Sequence, residues 1–552
     1  MVDMVSYVGD MLSFYLDYQA NESFLQTSTE YANILKHGKA LGYKFDYNAT
    51  AYGTVSLFVD VAATANGLGV DTTYIPILEK GSTFSSTNGN IYTLNEDVDF
   101  SDASNEVVVG SVNNTTGLPT TYIIRAFGQI LSGDTKSVDI KVNNFERFKR
   151  VPLNVPNMAE IISVTDSAGN QYHEVDYLSQ NMVYRPITNT GEANSLVPNL
   201  LRPVAVPRRF VMERELGNAY LQFGYGSESE ISKTDIMDPS NVALRVTGRD
   251  FITESSFDPT KLLQTDKFGV APANTTLRVV YRENSRQNVN AGANTIIIAN
   301  TKKVKFKKPD FLSSSKRFDV VNSIEVTNDE PIVGDITFPS SDEIKRRIFD
   351  SFAAQNRAVT AQDYKAITYM MPAKFGAIKR CNVVQDNQAL KRNLNLYVVS
   401  EDQNGNLSIS NPTIKQNLKN WLNQYRMIND TVDILDAKII NIGIDFEIVA
   451  ELDKNKFEAL SVATQALRDK FLQINEIGEP INIGQIYKTL NVVNGVSDTV
   501  NVSLRVISGG RYSSSDFNIN DNLSPDGRLL IAPNDSIFEI RYISEDIKGA
   551  VR

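Results

Sequence analysis

The chain of 552 residues has two histidines, His37 and His173, and one cysteine, Cys381. That inventory restricts the chemistry more than any motif does. A Cys₄ or Cys₂His₂ zinc site cannot be assembled from it. A lone cysteine cannot form an intrachain disulfide and fits a reducing cytoplasm. A Ser-His-Asp triad is arithmetically possible, but no nucleophile-elbow motif accompanies it. His173, within Gln171-Tyr172-His173-Glu174, reads as an exposed strand residue. Carboxylates are plentiful, yet no window joins paired acids to the aromatic platforms that hold a sugar. Gly67-Leu68-Gly69 and Gly224-Tyr225-Gly226 do not continue as phosphate loops and read as turns. Asp402-Gln403-Asn404-Gly405-Asn406 has the composition of a calcium loop but lacks the acidic residue at its far end, so a hairpin turn is expected. These residues predict no catalytic, cofactor-binding or metal-binding site and no enzyme.

The one basic run is Lys302-Lys303-Val304-Lys305-Phe306-Lys307-Lys308. Alternation puts Lys303, Lys305 and Lys307 on one side of a strand. The first reading is an edge strand guarded by lysines, the second a docking surface for an acidic neighbour, and nucleic acid is third. The net charge of −10 argues against nucleic acid, because neutralising phosphates needs a basic face. The apolar stretch Val2 to Leu16 lacks a basic leader and contains Asp3 and Asp10, which argues against a secretion signal and a membrane span.

The elements that would position function centre on Pro339 to Arg380. Ser340 and Glu343 have the spacing of a capping box, and Ile344, Ile348 and Phe352 then recur on one helical face, with Lys345, Arg346 and Arg347 off it. A second helix starts at Thr360, with Asp363 repeating the device. It carries Tyr364, Ile367 and Met371 inward, and Pro372 stops it. Gly376 releases the chain into a strand. Arg357, Val359, Thr360, Asp363, Tyr364, Pro372 and Gly376 together resemble the R-x-V-T-x-x-D-Y … P … G signature of the baseplate-J-like family of contractile phage tails.

Elsewhere the pattern changes with position. Met4, Tyr7, Val8, Met11, Leu12, Tyr15 and Leu16 form a wide apolar helical band, suited either to burial within its own domain or to a bundle with partner chains. A second helix is expected to begin at Asn21-Glu22 and to end at Leu41-Gly42-Tyr43. Val55, Leu57, Val59 and Val61 alternate, as do Val138, Ile140 and Val142, between Asn/Gly/Ser turns: a small sandwich or barrel-like β module. Asp166 to Asn170 reads as a hairpin turn. The polar stretches after Tyr225 and from Asp258 to Thr276 read either as contact loops or as merely mobile segments. Past Pro339 the chain turns α+β. A helix begins at Pro412, a half-wet strand runs through Ile440 to Ile448, and one helix carries Phe457, Leu460, Leu467 and Phe471. A short helix with Ile486, Tyr487 and Leu490 then leads through Gly495 into a strand with Val500, Val502, Leu504 and Val506. Tyr364 to Gly376 parallels Tyr487 to Gly495, which suggests two related halves.

The expected fold is an α+β multidomain chain. It has N-terminal helices (1–50), β-rich central modules (51–144 and 145–338), and C-terminal α/β domains with helices packed on small sheets (339–552, halves near 339–430 and 431–552). The N-terminal run, Ile75 to Phe84, and pieces of 145–295 also resemble the wedge-protein branch of the family found in T4-like phages, which carries further helical sequence ahead of this point. The resemblance implies a structural part of the tail baseplate in the virion, assembled in the host cytoplasm. It implies a homodimer within each wedge, a ring of such dimers around the tail hub, and contact with other wedge proteins and with hub and sheath-initiating components. Nucleic acid, membrane and cofactors have no part in it. Tyr7, Met11, Leu12 and Tyr15 would carry the partner bundle, and the C-terminal domain the wedge-to-wedge contact. Two alternatives are the inner-ring protein of a bacterial contractile injection system and, in a different class, a β-rich carbohydrate-binding tail or adhesin protein. Trp421, on an expected buried helix face, weighs against the second.

Overall fold

The structure is a computed structural model and describes residues 2–45, 48–64, 66, 69–188, 199–215, 218–227, 268–284, 288–307, 312–386, 393–472 and 475–552. It is mixed α+β, with N-terminal helices, many β-sheets, and C-terminal helices packed on sheets. Two compact units divide it: residues 1–132 with 288–552, and residues 133–287.

The first unit opens with helix α1 (Val2–Glu22) and helix α2 (Tyr31–Ala40). Asn21-Glu22 ends α1 instead of starting a second helix. The reason is the Glu22 carboxylate, which reaches forward to the N–H groups of Thr29 (2.7 Å) and Glu30 (3.2 Å) and so holds a turn between the helices. Gly42, at φ +87°, ends α2, and Tyr43 N–H returns to Gly38 C=O at 2.8 Å.

The β module follows from alternation. Val55, Leu57, Val59 and Val61 are all fully buried on the strand Tyr52–Ala62, which pairs along its length with Pro119–Ser132. The sheet runs Ile296–Thr301, Thr83–Ser86, Ile91–Leu94, Pro119–Ser132, Tyr52–Ala62, Glu325–Thr327, with Glu106–Val112 added to Pro119–Ser132. Asn328 curls it round: its side-chain oxygen accepts from Thr295 N–H (3.0 Å) and Ile296 N–H (2.9 Å), joining the two ends. Val304–Phe306 forms the edge of a small sheet with Pro76–Leu78 and Val98–Asp99. Helix α3 (Ser314–Asn322) covers the module through Val320. Strand pairing here crosses the expected boundary at 144, since segments 288–327 complete a sheet begun at residue 52.

Next come helix α4 (Ser341–Ala354) and helix α5 (Ala361–Tyr369). Helix α6 (Pro412–Leu422), with Pro412 in its first turn, buries Ile414, Leu418 and Leu422. These helices pack against the sheet of Arg380–Gln385, Asn393–Glu401, Leu407–Ser408 and Thr431–Asp436. Helix α7 (Lys456–Lys470) and helix α8 (Ile483–Asn491) pack on a second sheet centred on Lys438–Ala450. In both halves a central strand has an antiparallel neighbour entered after a helix and a positive-φ glycine (Gly376, Gly495), and a parallel neighbour besides. The connectivity differs: Arg380–Gln385 precedes its central strand, whereas Val496–Ile507 follows its own.

Three side chains depart from the periodic reading. Phe352 is 57% and Phe457 79% exposed, because α4 and α7 bury narrower stripes than their apolar residues suggest; α7 uses Ala459, Ala463 and Leu467. Val500 is exposed because a bulge opposite Glu447/Ile448 breaks the alternation and turns Thr499 inward instead.

The second unit is a seven-stranded sheet in the order Asp134–Val142, Thr275–Glu283, Met158–Thr165, Gln171–Glu174, Arg209–Glu215, Asn218–Phe223, Arg150–Pro152. Met158, Leu221, Leu277 and Val279 are fully buried in its core. Asp166 N–H bonds Asn170 C=O at 3.0 Å, and Gly169 at φ +84° closes that hairpin. Arg209 is fully buried and donates to the carbonyls of Leu178 (2.7 Å) and Val206 (3.0 Å). His173 is half-buried on its strand, not exposed, since that strand lies inside the sheet. The expected contact loops after Tyr225 and from Asp258 fall mostly outside the described residues.

Candidate interaction surfaces

Every residue of α1 whose side chain is described is exposed, apart from its last. Met4 (74%), Tyr7 (65%), Leu12 (59%), Phe14 (63%), Tyr15 (58%) and Leu16 (69%) present a wide apolar face to solvent. Burial within its own domain is therefore excluded for this band. Helical geometry puts Met4, Tyr7, Met11, Phe14 and Tyr18 on one seam with seven-residue repeats, and Asp3, Asp10 and Asp17 on a parallel stripe at its margin. The sequence reading missed Phe14, Tyr18 and the aspartate stripe, although their spacing was the available signal.

α1 is nevertheless held. Glu22 accepts from the Thr29 hydroxyl (2.7 Å) and Asn33 Nδ2 (2.9 Å) as well as from the two backbone N–H groups, and Tyr18 O–H donates to Glu30 at 2.9 Å. The bond from Asn33, with those from Thr29 and Glu30, holds the Glu22 carboxyl down at about 2. α2 is anchored in turn. Ile34 and Tyr43 pack with Ile344 and Ile348 of α4, and a Cβ at Gly38 would stand 2.7 Å from Ile348 Cδ1. Lys345 Nζ adds a bond to Gln26 C=O at 3.3 Å.

The residues from Ser340 to Gly376 form the junction beneath. Thr360 and Asp363 make a complete capping box: Asp363 N–H donates to Thr360 Oγ1 (3.2 Å) and Thr360 N–H to Asp363 Oδ2 (2.8 Å), while Val359 N–H also donates to Oδ2 (3.1 Å). Ser340 and Glu343 make half of one. Ser340 Oγ accepts from Glu343 N–H, but the Glu343 carboxylate turns to Arg347 (2.6 Å) and Arg380 (2.8 Å). Arg347, expected on the wet side of α4, is 7% exposed, with its guanidinium 4.1 Å over the Tyr369 ring. Burial alone raises the Glu343 carboxyl, and the two guanidiniums outweigh it and hold the group below its ordinary value. Tyr364 is buried, with its hydroxyl on Asp430. Pro372 heads a tight turn whose Ala373 C=O accepts from Thr50 N–H (2.9 Å) and whose Lys374 C=O accepts from the Tyr52 hydroxyl (2.6 Å), tying the β module to α5. Gly376, at φ +95°, lies against Ile414. Arg357 and Val359 are exposed.

Little in this arrangement suits catalysis. His37 bonds the Glu22 carbonyl at 2.9 Å. Cys381 is buried, and burial pushes its thiol up to about 11, away from nucleophilic reactivity. No group of three His, Cys, Asp or Glu positioned for a metal occurs among the described residues. One cavity, between Phe45, Asp335, Phe338, Arg347 and Tyr369, holds about 50 Å³, and a wider, open concavity lies between Arg505, Tyr512, Glu545, Asp546 and Lys548. Asp402 to Asn406 is a turn, with Asp402 Oδ1 accepting from Asn404 N–H (2.7 Å) and Asn406 N–H (3.0 Å). The lysine run sits on an edge strand: Lys303, Lys305 and Lys307 are exposed, and Lys307 pairs with Asp99 at 3.1 Å. Trp421 is half-buried, with its Nε1–H on Ile367 C=O at 2.9 Å, and offers no sugar platform. No helix among the described residues is long and apolar enough to cross a membrane.

Residues 1–40, which are α1 and α2 with the turn between them, match the family model described as "bacteriophage baseplate protein, N-terminal domain". No curated protein matches the chain. Two solved assemblies show a distant likeness. One is the cryo-EM baseplate of the anti-feeding prophage, 6-fold symmetrised, at 10% identity and TM-score 0.24, covering 98% of this chain and 86% of that one. The other is the type VI secretion system TssK-TssF-TssG baseplate subcomplex, at 10% identity and TM-score 0.27, covering 79% of this chain and 96% of that one. Likeness at that level fixes no residue correspondence. The family-model match thus falls on the helical pair whose first member, α1, presents the exposed apolar face.

Proposed function

We propose that this chain is a structural subunit of a contractile-tail baseplate wedge. It would form the inner ring around the hub and pass conformational change to the sheath. One observation carries the reading: a 21-residue helix, inside the segment matched by the baseplate model, with its apolar face bare in the isolated chain. A solvated face of that size stabilises nothing until another chain covers it. Tyr7, Met11, Leu12 and Tyr15 are its central contacts.

The margin of the face also describes the partner. α1 contains no lysine or arginine, and Asp3, Asp10 and Asp17 run beside the seam. Packing two copies side by side and in parallel would bring Asp17 toward Glu22 of the second helix, like charge against like. A helix of a different wedge protein, with basic residues flanking an apolar seam, suits it better. In this reading the homodimer forms elsewhere on the chain, C-terminal domains join wedges, and the assembly takes its place in the virion.

The test is capture. Met11→Asp with Tyr15→Asp places charge on the seam without touching a core. Co-expression with the neighbouring tail proteins should show loss of partner binding while the far-UV spectrum and melting of the rest are kept. Undiminished co-purification of the double variant would remove α1 as the docking helix.

A further inference from the structure

Three stretches of the first unit converge on the turn at 401–407. Asn290 Nδ2 donates to Glu401 C=O (2.8 Å) and Asn288 Nδ2 to Gln403 C=O (2.8 Å), while Gly292 N–H and Asn88 Nδ2 both donate to Gln403 Oε1 (3.2 Å). From the chain ahead of α4, Asp335 N–H donates to Asn290 Oδ1 (2.9 Å) and Thr337 N–H to Glu401 Oε2 (3.0 Å). From the sheet centred on Lys438–Ala450, Glu539 accepts from Leu407 N–H (2.6 Å) and Asn441 Nδ2 (2.7 Å), and Arg541 lies 3.5 Å from Asp402. The charges in this junction do not balance. Asp335 (7% exposed), Glu401 (2%) and Glu539 (8%) are buried and Asp402 is half-buried, whereas the cations among the described residues are Lys379, 2.7 Å from Glu401, and Arg541. Lys379 serves Glu401 and Arg541 serves Asp402, so the Asp335 and Glu539 carboxyls accept only from neutral N–H groups. A buried carboxyl without a cation takes up a proton instead of keeping its charge. Tyr92, which also faces Asp335, donates to Val289 C=O at 2.7 Å and is kept neutral by burial. Asp335 lines the 50 Å³ cavity, which gives space for water beside its carboxyl.

We infer that the turn at 401–407 is a proton-dependent latch, closed while Asp335 and Glu539 carry protons and released when they ionise. Ionised Asp335 stands against Glu401, and ionised Glu539 against Asp402, with Lys379 and Arg541 already engaged. The bonds that tie the turn to Asn288, Asn290 and Gly292 on one side and to Glu539 on the other then weaken together. Burial holds both carboxyls above their ordinary values, Asp335 at about 7. The latch is therefore fully set below about pH 4 and is lost as pH rises through about 7. It involves neither α1 nor a partner chain, and it adds to the proposed function a joint whose stiffness the medium sets.

Hydrogen exchange of the full chain at about pH 6 and about pH 8.5, corrected for the intrinsic rates, is the test. Protection in 288–292, 334–337 and 401–407 should fall about tenfold per pH unit above about 7, while the strand Tyr52–Ala62 keeps its own. Asp335→Asn should remove most of that fall, and Glu539→Gln should reduce it at 401–407. Circular dichroism at about pH 6 checks that each variant is folded, and if Asp335→Asn does not fold, the parent chain and Glu539→Gln decide the matter. Equal protection at both pH values, a fall shared evenly by Tyr52–Ala62, or an undiminished fall in either folded variant would overturn the latch.

Discussion

The Tyr364 hydroxyl donates to Asp430 Oδ2 at 2.8 Å, with both residues buried. The bond joins α5 to the loop that leads into the parallel strand Thr431–Asp436, across 66 residues of sequence. Tyr364 is therefore a structural tie. Tyr364→Phe should cost about 1–3 kcal/mol, because it leaves a buried carboxylate short of a donor while preserving the ring's packing. Urea denaturation of the parent and variant measures this, and a change within error would mean the hydroxyl contributes nothing.

Thr360 and Asp363 close the N-terminus of α5 reciprocally. Thr360→Ala should destabilise by about 1 kcal/mol, and Thr360→Ser by less, since serine keeps the accepting oxygen. Asp363→Ala should cost as much as Thr360→Ala or more, because its carboxylate also accepts from Val359 N–H. The ranking of the three by thermal unfolding is the check.

Asp335 gives the fold a pH dependence near neutrality. It accepts from Val289 N–H (3.2 Å) and Ile336 N–H (3.0 Å), and Glu401 lies near it, ion-paired to Lys379 at 2.7 Å. Burial pushes its carboxyl up to about 7. A folded value above the unfolded one means the native state binds the extra proton between about pH 4 and 7. Stability therefore falls as pH rises through that window, by about 1.4 kcal/mol per pH unit at the steepest. Asp335→Asn should flatten the profile between pH 5 and 8. A parent chain equally stable at both values would show that Asp335 ionises normally.

Glu22 works in the opposite sense. Its carboxyl is held down at about 2, so the ionised form is the one the α1–α2 turn uses. The contribution is complete above about pH 4.5 and is lost as pH falls toward 2. Glu22→Gln should raise amide exchange in Thr29 and Glu30 and loosen α1, with the β module unaffected. Exchange mass spectrometry across residues 18–34 reads this, and unchanged protection would exclude the carboxylate as the clasp.

The sequence by itself determined the local devices. The Thr360–Asp363 cap, the Asp166 and Asp402 turns, Pro412 in the first turn of α6, the positive-φ glycines and the buried alternation of Val55 to Val61 all rest on residues a few positions apart. Backbone sterics and nearest-neighbour hydrogen bonds settle those, and they are written in composition and spacing. Only the tertiary structure decided what each face meets. It left α1 bare, turned Phe352 and Phe457 outward, drew Arg347 inward between Glu343 and the Tyr369 ring, and completed the first sheet with strands some 270 residues downstream, Leu57 opposite Val326. Burial and strand pairing depend on groups brought together from distant parts of the chain, and periodicity marks an apolar face without saying whether this chain or another one covers it.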